Sequence, residues 1–264
     1  MMRGKQNAGF TMIELIVVVL CIVFLFLWLY GLATANNRTY YSRVGCVSNL
    51  KQISMSFNVW AGDYNDSFPW SVSTNEGGLC EVFANPNQGS NCWRIYQTMA
   101  NELGQAPKIL ICPVDERMPA TNFIVKGATN DTGNADFKKN ASISYFVCLT
   151  GMTDTYPQSI MLGDRNLGPG LTPKDDYGYS PSNDQGNDVV LETNSPVCWS
   201  KMMHSKKEPH ESGHVALTDG SIQLVKSLVF RSQIQPHAGV RNTPFDTNAV
   251  TSSVPAPTFR LIFP

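Results

Sequence analysis

Five adjacent residues carry the sharpest chemical pattern in this sequence: His210-Glu211-Ser212-Gly213-His214. On a helix, H-E-x-x-H puts both histidines on one face to hold zinc, with the glutamate as base. The neighbours argue against a helix here. Pro209 precedes the motif, Gly213 lies inside it, and a strand is expected from His214 or Val215. That context removes the i, i+4 geometry, and a metalloprotease is not expected. A second set is acidic: Asp164, Asp175, Asp176, Asp184 and Asp188. Carboxylates suit calcium, but this spacing is not diagnostic and a solvated loop is the simpler reading. The group Asp63, Asn65, Asp66 and Ser67 lacks the glycine and the closing glutamate of an EF-hand, so it reads as a turn ending a helix. The sequence therefore assigns no catalytic residue, no metal ligand and no cofactor.

Cysteine is the other reactive residue. Cys21 lies within an apolar run; Cys46, Cys80, Cys92, Cys112, Cys148 and Cys198 follow it. An even number on one side of such a run suggests an oxidising compartment and disulfides, and spacing does not choose among the pairings. Cys80 with Cys92 is the preferred pair, because the residues between them read as a closed surface loop; buried free thiols are the alternative. The formal net charge is -1 with 16% charged residues. A nucleic-acid partner would call for a basic excess, and none is expected.

These residues need elements to hold them. From Leu15 to Ala35 there is no charged side chain. As a helix that run reaches ~31 Å, the thickness of a bilayer core. It can be read as a secretory signal ending at Ala33-Thr34-Ala35, but it is long for a signal h-region of ~7–15 residues, and Glu14 sits hard against it. It can also be read as a plain single-pass anchor. A third reading uses more residues. The stretch Gly9-Phe10-Thr11-Met12-Ile13-Glu14-Leu15 follows a short leader containing Arg3 and Lys5. It resembles the prepilin cleavage and methylation signature of type IV pilins and type II secretion pseudopilins. In that family a basic leader ends in Gly and is followed by Phe, Thr, and Glu at the fifth position after the cut; Gly9, Phe10, Thr11 and Glu14 fill those places.

The resemblance implies a leader at 1–9, removed by a prepilin peptidase, and a membrane or filament-core helix at 10–35. An extracytoplasmic head then follows at 36–264. It implies a structural subunit, a minor pilin or pseudopilin, with other such subunits and the membrane as partners and no enzymatic activity. The leader would be cytoplasmic and the head periplasmic or extracellular. Glu14 would pair with the α-amine of Phe10 on a neighbouring subunit. The alternative is an anchored or secreted extracytoplasmic binding protein that does not polymerise. Two further stretches are similar to a group of pilin-like proteins: Cys46–Pro69, whose helix carries C-x-x-NLKQI, and His210 followed by Asp219-Gly220. The latter is similar to an H-X9-DG motif but is one residue shorter.

Cys46, Leu50, Ile53, Phe57, Trp60 and Tyr64 are spaced 4, 3, 4, 3, 4, one apolar stripe on a helix. Lys51, Gln52, Ser54 and Ser56 fall off it. No proline occurs before Pro69, so one helix is expected from about Phe10 to about Ala61. Strands are expected at Lys108–Cys112, Ile143–Leu149, Ile160–Leu162, Val215–Thr218 and Ser221–Val225, and a long surface loop at Leu167–Pro196. Asp219-Gly220 reads as a two-residue hairpin turn, with Leu217 facing Ile222 and Val215 facing Leu224. The expected fold class is α+β: a long N-terminal helix packed on an antiparallel sheet, pilin-like. The cleavage reading generates one prediction. Replacing Gly9 by Ala or a bulkier residue leaves the chain uncut, because a peptidase must approach the backbone closely and only glycine lacks a Cβ. Intact mass of the purified protein is the measurement, and normal maturation of bulky variants would place the cut elsewhere.

Overall fold

The structure is a computed structural model that describes residues 11–128, 133–150, 158–181, 184–192, 195–206, 211–234 and 258–264. The chain divides into two compact units, Met1–Ser42 and Arg43–Pro264. Helix α1 (Met12–Asp63) contributes to both. In the first unit, Met12–Gly31 is long and apolar enough to cross a membrane, and none of it is buried. Its 20 residues make ~30 Å of helix, and leucine, isoleucine, valine and phenylalanine point outward on every side.

The second unit is the head. Its share of α1 buries Cys46, Leu50, Ile53, Phe57 and Trp60, as the apolar stripe predicts, with Tyr64 packed against the edge. The buried face is wider than that stripe. Ser54 and Ser56 are also buried, and Ser56 donates to the carbonyls of Gln52 and Glu102 at 3.0 and 2.9 Å. After Asp63 the helix closes through Asp66 N–H to Ala61 C=O at 2.8 Å. Asn65 and Asp66 take positive φ of 53° and 56°, a conformation these two residue types tolerate. The polar cluster is thus the turn that ends the helix.

Two short helices follow, α2 (Cys80–Phe83) and α3 (Cys92–Thr98). The strands are β1 (Tyr145–Cys148), β2 (Ile160–Asp164), β3 (Leu167–Pro169), β4 (Asn187–Glu192), β5 (Val197–Trp199), β6 (Ser212–Leu217) and β7 (Ile222–Lys226). Helix α4 (Ser227–Ile234) and strand β8 (Thr258–Phe263) complete the described elements. Six strands form an antiparallel sheet in the order β4-β8-β1-β2-β6-β7; β3 and β5 pair separately. The fold class is α+β, as expected from sequence.

The central sheet is covered on both faces. Alternate residues of β1 go to opposite sides: Tyr145 and Val147 join the core containing the α1 stripe, while Phe146 and Cys148 join a second core with Trp199 of β5 and Phe230 of α4. Strands buried on both faces read as continuous apolar runs, which is why Ile143–Leu149 and Ile160–Leu162 were legible without alternation.

Three expectations are corrected. Lys108–Cys112 is not a strand: Pro107–Leu110 forms a 3-10 turn with Pro107 at its start, the place where a missing N–H is tolerated. Leu167–Pro196 is not one surface loop, since β3 and β4 lie within it. On β4 Asn187 and Glu192 are exposed while Leu191 is buried, and the strand's partner β8 lies far away in sequence. The hairpin register is also shifted by one. Ala216 faces Ile222 and Val215 faces Gln223, because Thr218-Asp219-Gly220 forms a three-residue loop closed by Gly220 N–H to Leu217 C=O at 2.9 Å. Gly220 supplies the required positive φ of 77°, the arrangement of a hairpin with a bulge.

Phe57 holds α1 in place. It is fully buried and its ring lies 6.2, 5.8 and 6.3 Å from those of Phe68, Trp70 and Tyr96. Phe57→Ala should destabilise the head by ~3–5 kcal/mol through lost burial and the cavity left behind. Urea unfolding of the detergent-solubilised chain, followed by tryptophan fluorescence, is the check. A change under about 1 kcal/mol would mean that the site collapses around the deletion.

Candidate functional site

Two places in the chain gather chemically capable groups. The first is the start of α1. Gly9 and Phe10 lie outside the described residues. Glu14 is described, and it closes on Thr11. Its Oε2 accepts from the Thr11 N–H and hydroxyl, both at 3.0 Å, while Thr11 Oγ1 accepts from the Glu14 N–H at 3.4 Å. Thr-x-x-Glu in this geometry is a capping box, which satisfies two otherwise free N–H groups at a helix start. Glu14 therefore has a job within its own chain, one the sequence reading did not assign.

The second place is inside the head. The H-E-x-x-H pattern is divided. His210 lies outside the described residues, and Ser212–Leu217 is strand, so no helical zinc motif forms. Glu211 Oε2 accepts from Cys198 Sγ at 3.2 Å. His214 points into the core, where its backbone N–H donates to Asp164 Oδ2 at 2.7 Å and its Nδ1 lies 3.1 Å from the same oxygen. Asp164, at the end of β2, is fully buried. Its other oxygen, Oδ1, accepts from Cys46 Sγ at 3.4 Å.

Cys46 on α1 also lies 3.4 Å from the Tyr145 hydroxyl. Beside it, Cys112 Sγ lies 3.1 Å from His204 Nε2, and the His204 ring meets that of His214 edge to face at 4.6 Å. Cys46, Cys112, Asp164 and His204 are all buried, and each offers a ligand atom within 4.8 Å of the others. The electrostatics are strongly coupled. Burial, then Cys112 and the Asp164 carboxylate, push the Cys46 thiol up. Burial also acts to raise Cys112, yet hydrogen bonds from Cys46 and His204 bring it below an ordinary thiol. Burial disfavours the His204 imidazolium, but Cys112 and Asp164 outweigh that and raise it. A cysteine sulfur facing an imidazole suits either a nucleophile or a metal ligand. Cys112 has no exposure, so no substrate carbonyl reaches it without opening the head.

All seven cysteines are free. The expected Cys80–Cys92 closure is not made: Cys92 begins α3 and directs its sulfur to the Ile262 carbonyl at 3.7 Å. The acidic set does not gather either. Asp188 pairs with Arg260 at 2.7 Å, exposed Asp175 with Lys201 at 3.1 Å, and Asp176 accepts from Gly178 N–H. Sequence reasoning missed the cluster around Cys46. Its four members come from α1, the segment after the Pro107–Leu110 turn, β2 and the Met203–Lys206 turn, so no local spacing announces it.

Next to the cluster runs a second buried polar network. Arg165 makes a two-pronged contact with Asp115, Nε to Oδ2 at 2.7 Å and Nη2 to Oδ1 at 2.8 Å. Its guanidinium lies 3.4 Å above the Tyr177 ring. Ser144 donates to Asp115 at 2.6 Å. Arg117 donates to the carbonyls of Asn140, Ile143, Pro181 and Pro264. Burial, and then the charge of Arg165, bring Arg117 down to about 10. No protein-family model, characterised protein or solved structure matches the chain.

Burial acts to raise the Asp115 carboxyl, but Arg165, Ser144 and Arg117 hold it below its ordinary value. A group depressed in the folded state stabilises above its unfolded pKa, ~3.9, and loses that contribution as pH falls through the folded value. Asp115→Asn should cost ~3–5 kcal/mol at pH 7 by leaving the buried Arg165 charge with only the longer contact to exposed Glu116, at 3.6 Å. The difference from wild type should shrink below about pH 4. Urea titrations of both proteins across pH give the answer; a pH-independent difference would assign the effect to packing.

Proposed function

We propose that this chain is a membrane-anchored structural subunit of a pilin-like filament, a minor pilin or pseudopilin, matured by cleavage after Gly9. The observation that carries the reading is the first part of α1. Met12–Gly31 is apolar on all sides with no buried residue, and its one carboxylate, Glu14, stands at the helix start. A helix that is hydrophobic all round belongs in lipid or in a core made with other chains. The amphipathic half of the same helix, by contrast, has its partner within the head.

In this reading the helix first rests in the membrane and then passes into the apolar core of a filament. Cleavage frees the α-amine of Phe10, and a neighbour's Glu14 pairs with it there. Each charge alone is costly in such a core; together they offset one another. The capping box holds the Glu14 carboxylate at the helix start. The leader remains cytoplasmic and the head lies outside the membrane. Prepilin peptidase and other pilin-type subunits are the partners.

The cap and the intersubunit pair can be separated by mutation. Glutamine can serve at this position of a capping box, so Glu14→Gln keeps the helix start and removes the charge. Glu14→Ala removes both. Each variant should insert and be cleaved, and each should be lost from sheared filaments, with Glu14→Gln lost although its helix is intact. Membrane levels and intact mass are checked in parallel. Assembly of Glu14→Gln at the wild-type level would leave the carboxylate with the capping role alone. Absence of the wild-type chain itself from sheared filaments would favour an anchored extracytoplasmic protein that does not polymerise.

A further inference from the structure

We propose that Cys46, Cys112, Asp164 and His204 bind a zinc ion, a structural metal site that ties α1 to the sheet and to the Met203–Lys206 turn. The four ligand atoms lie within 4.8 Å of one another. Zinc bonds of ~2.3 Å to sulfur and ~2.0–2.2 Å to nitrogen or oxygen put the corners of a tetrahedron about 3.3–3.8 Å apart. One edge already matches, Cys46 Sγ to Asp164 Oδ1 at 3.4 Å, and Cys112 Sγ to His204 Nε2, at 3.1 Å, is a few tenths of an ångström too short. Small shifts of side chains close the set around an ion.

The surroundings are those of a metal site. Ligating carboxylates and imidazoles are oriented by outer hydrogen bonds. Asp164 divides its oxygens: Oδ2 is held by the backbone N–H of His214 and lies beside its ring nitrogen, while Oδ1 faces the sulfur of Cys46. The Tyr145 hydroxyl lies against Cys46 Sγ at 3.4 Å, where it can donate to a thiolate. His204 turns Nε2 inward to Cys112, and its buried Nδ1 has no partner among the described residues. A buried carboxylate, two thiols and an imidazole with one orphaned nitrogen make an expensive core unless a cation organises them.

The donor set selects the ion. Two thiolates and an imidazole disfavour calcium and magnesium, which take oxygen ligands, and suit zinc. Binding replaces two S–H bonds with two Zn–S bonds and releases both protons to solvent. Zn2+, two thiolates, one carboxylate and a neutral imidazole leave a single negative charge, which the donors at His214 and Tyr145 help to spread. Four protein ligands fill the tetrahedron and leave no open position, the pattern of structural rather than catalytic zinc. The ligands come from four distant segments, so the ion cross-links parts of the head that share no local structure.

The test uses the full chain in detergent. Wild-type protein, freshly isolated without reductant, is analysed by native mass spectrometry and elemental analysis. It is then stripped with chelator and reductant and titrated with zinc alone. One zinc per chain, heavier by the ion less two protons, is expected on isolation, together with one tight equivalent on titration. Cobalt substitution should give tetrahedral d–d bands with thiolate charge transfer. Cys46→Ser, Cys112→Ser and His204→Ala should each abolish the tight equivalent, while Cys148→Ser, a buried cysteine outside the cluster, should keep it. His214→Ala should weaken zinc ~10–100-fold by removing the ring nitrogen beside Asp164 Oδ2, measured by competition with a chromogenic chelator. Circular dichroism establishes that each variant is folded. Absence of tight zinc in folded wild type would overturn the proposal. So would a Cys46–Cys112 disulfide in the isolated protein, or zinc retained by folded Cys46→Ser and Cys112→Ser.

Discussion

Asp164 has no contact with water, and the head is arranged around that fact. A carboxylate in an apolar interior is tolerated only with partners that satisfy it. Those partners come from β6, through His214, and from α1, through Cys46. Next in sequence, Arg165 is equally buried and is matched by Asp115 and the face of Tyr177. Two opposite charges at adjacent positions at the end of one strand thus point into two polar pockets. The apolar core closes around both.

A sheet covered on both faces makes this necessary. Its central strands, β1, β2 and β6, are buried throughout, so every polar side chain they carry must find a protein partner rather than water. Gly213 on β6 shows how close the layers come: a Cβ there would meet the Trp199 ring at 2.4 Å. The second core, built on Trp199, Phe230 and Phe263, leaves no room for a larger residue at that point. Close packing leaves the buried carboxylate of β2 to protein partners, and Asp164 finds them in His214 and Cys46.

The first unit has a different surface. In the head, one face of α1 carries the apolar residues and the opposite face carries Lys51 and Gln52, both exposed. Between Met12 and Gly31 there is no such division. One continuous helix thus changes from a stripe to an all-round apolar surface, and the change is written in composition alone. Thr11 and Glu14 close the start of that segment on themselves, so the last polar groups before the apolar run are paired within the chain.

The sequence by itself determined what depends on neighbours close along the chain. The extent of α1, its apolar stripe, the turn at Asn65 and Asp66, the strands β1 and β2 and the α+β class follow from periodicity, residue size and local turn chemistry. The shifted hairpin is a near miss of the same kind: Gly220 was identified as a turn residue, but the loop holds three residues, Thr218 to Gly220, rather than two. Strand β4 was lost in a polar segment because its apolar side appears only when β8, some seventy residues later, lies beside it. The cluster of Cys46, Cys112, Asp164 and His204 had no signature, because its members share no spacing and meet only when helix, sheet and turns converge. Tertiary structure decided it for a physical reason: ligand geometry is set in space, over a few ångströms, and the chain that supplies the ligands is free to bring them from anywhere along its length.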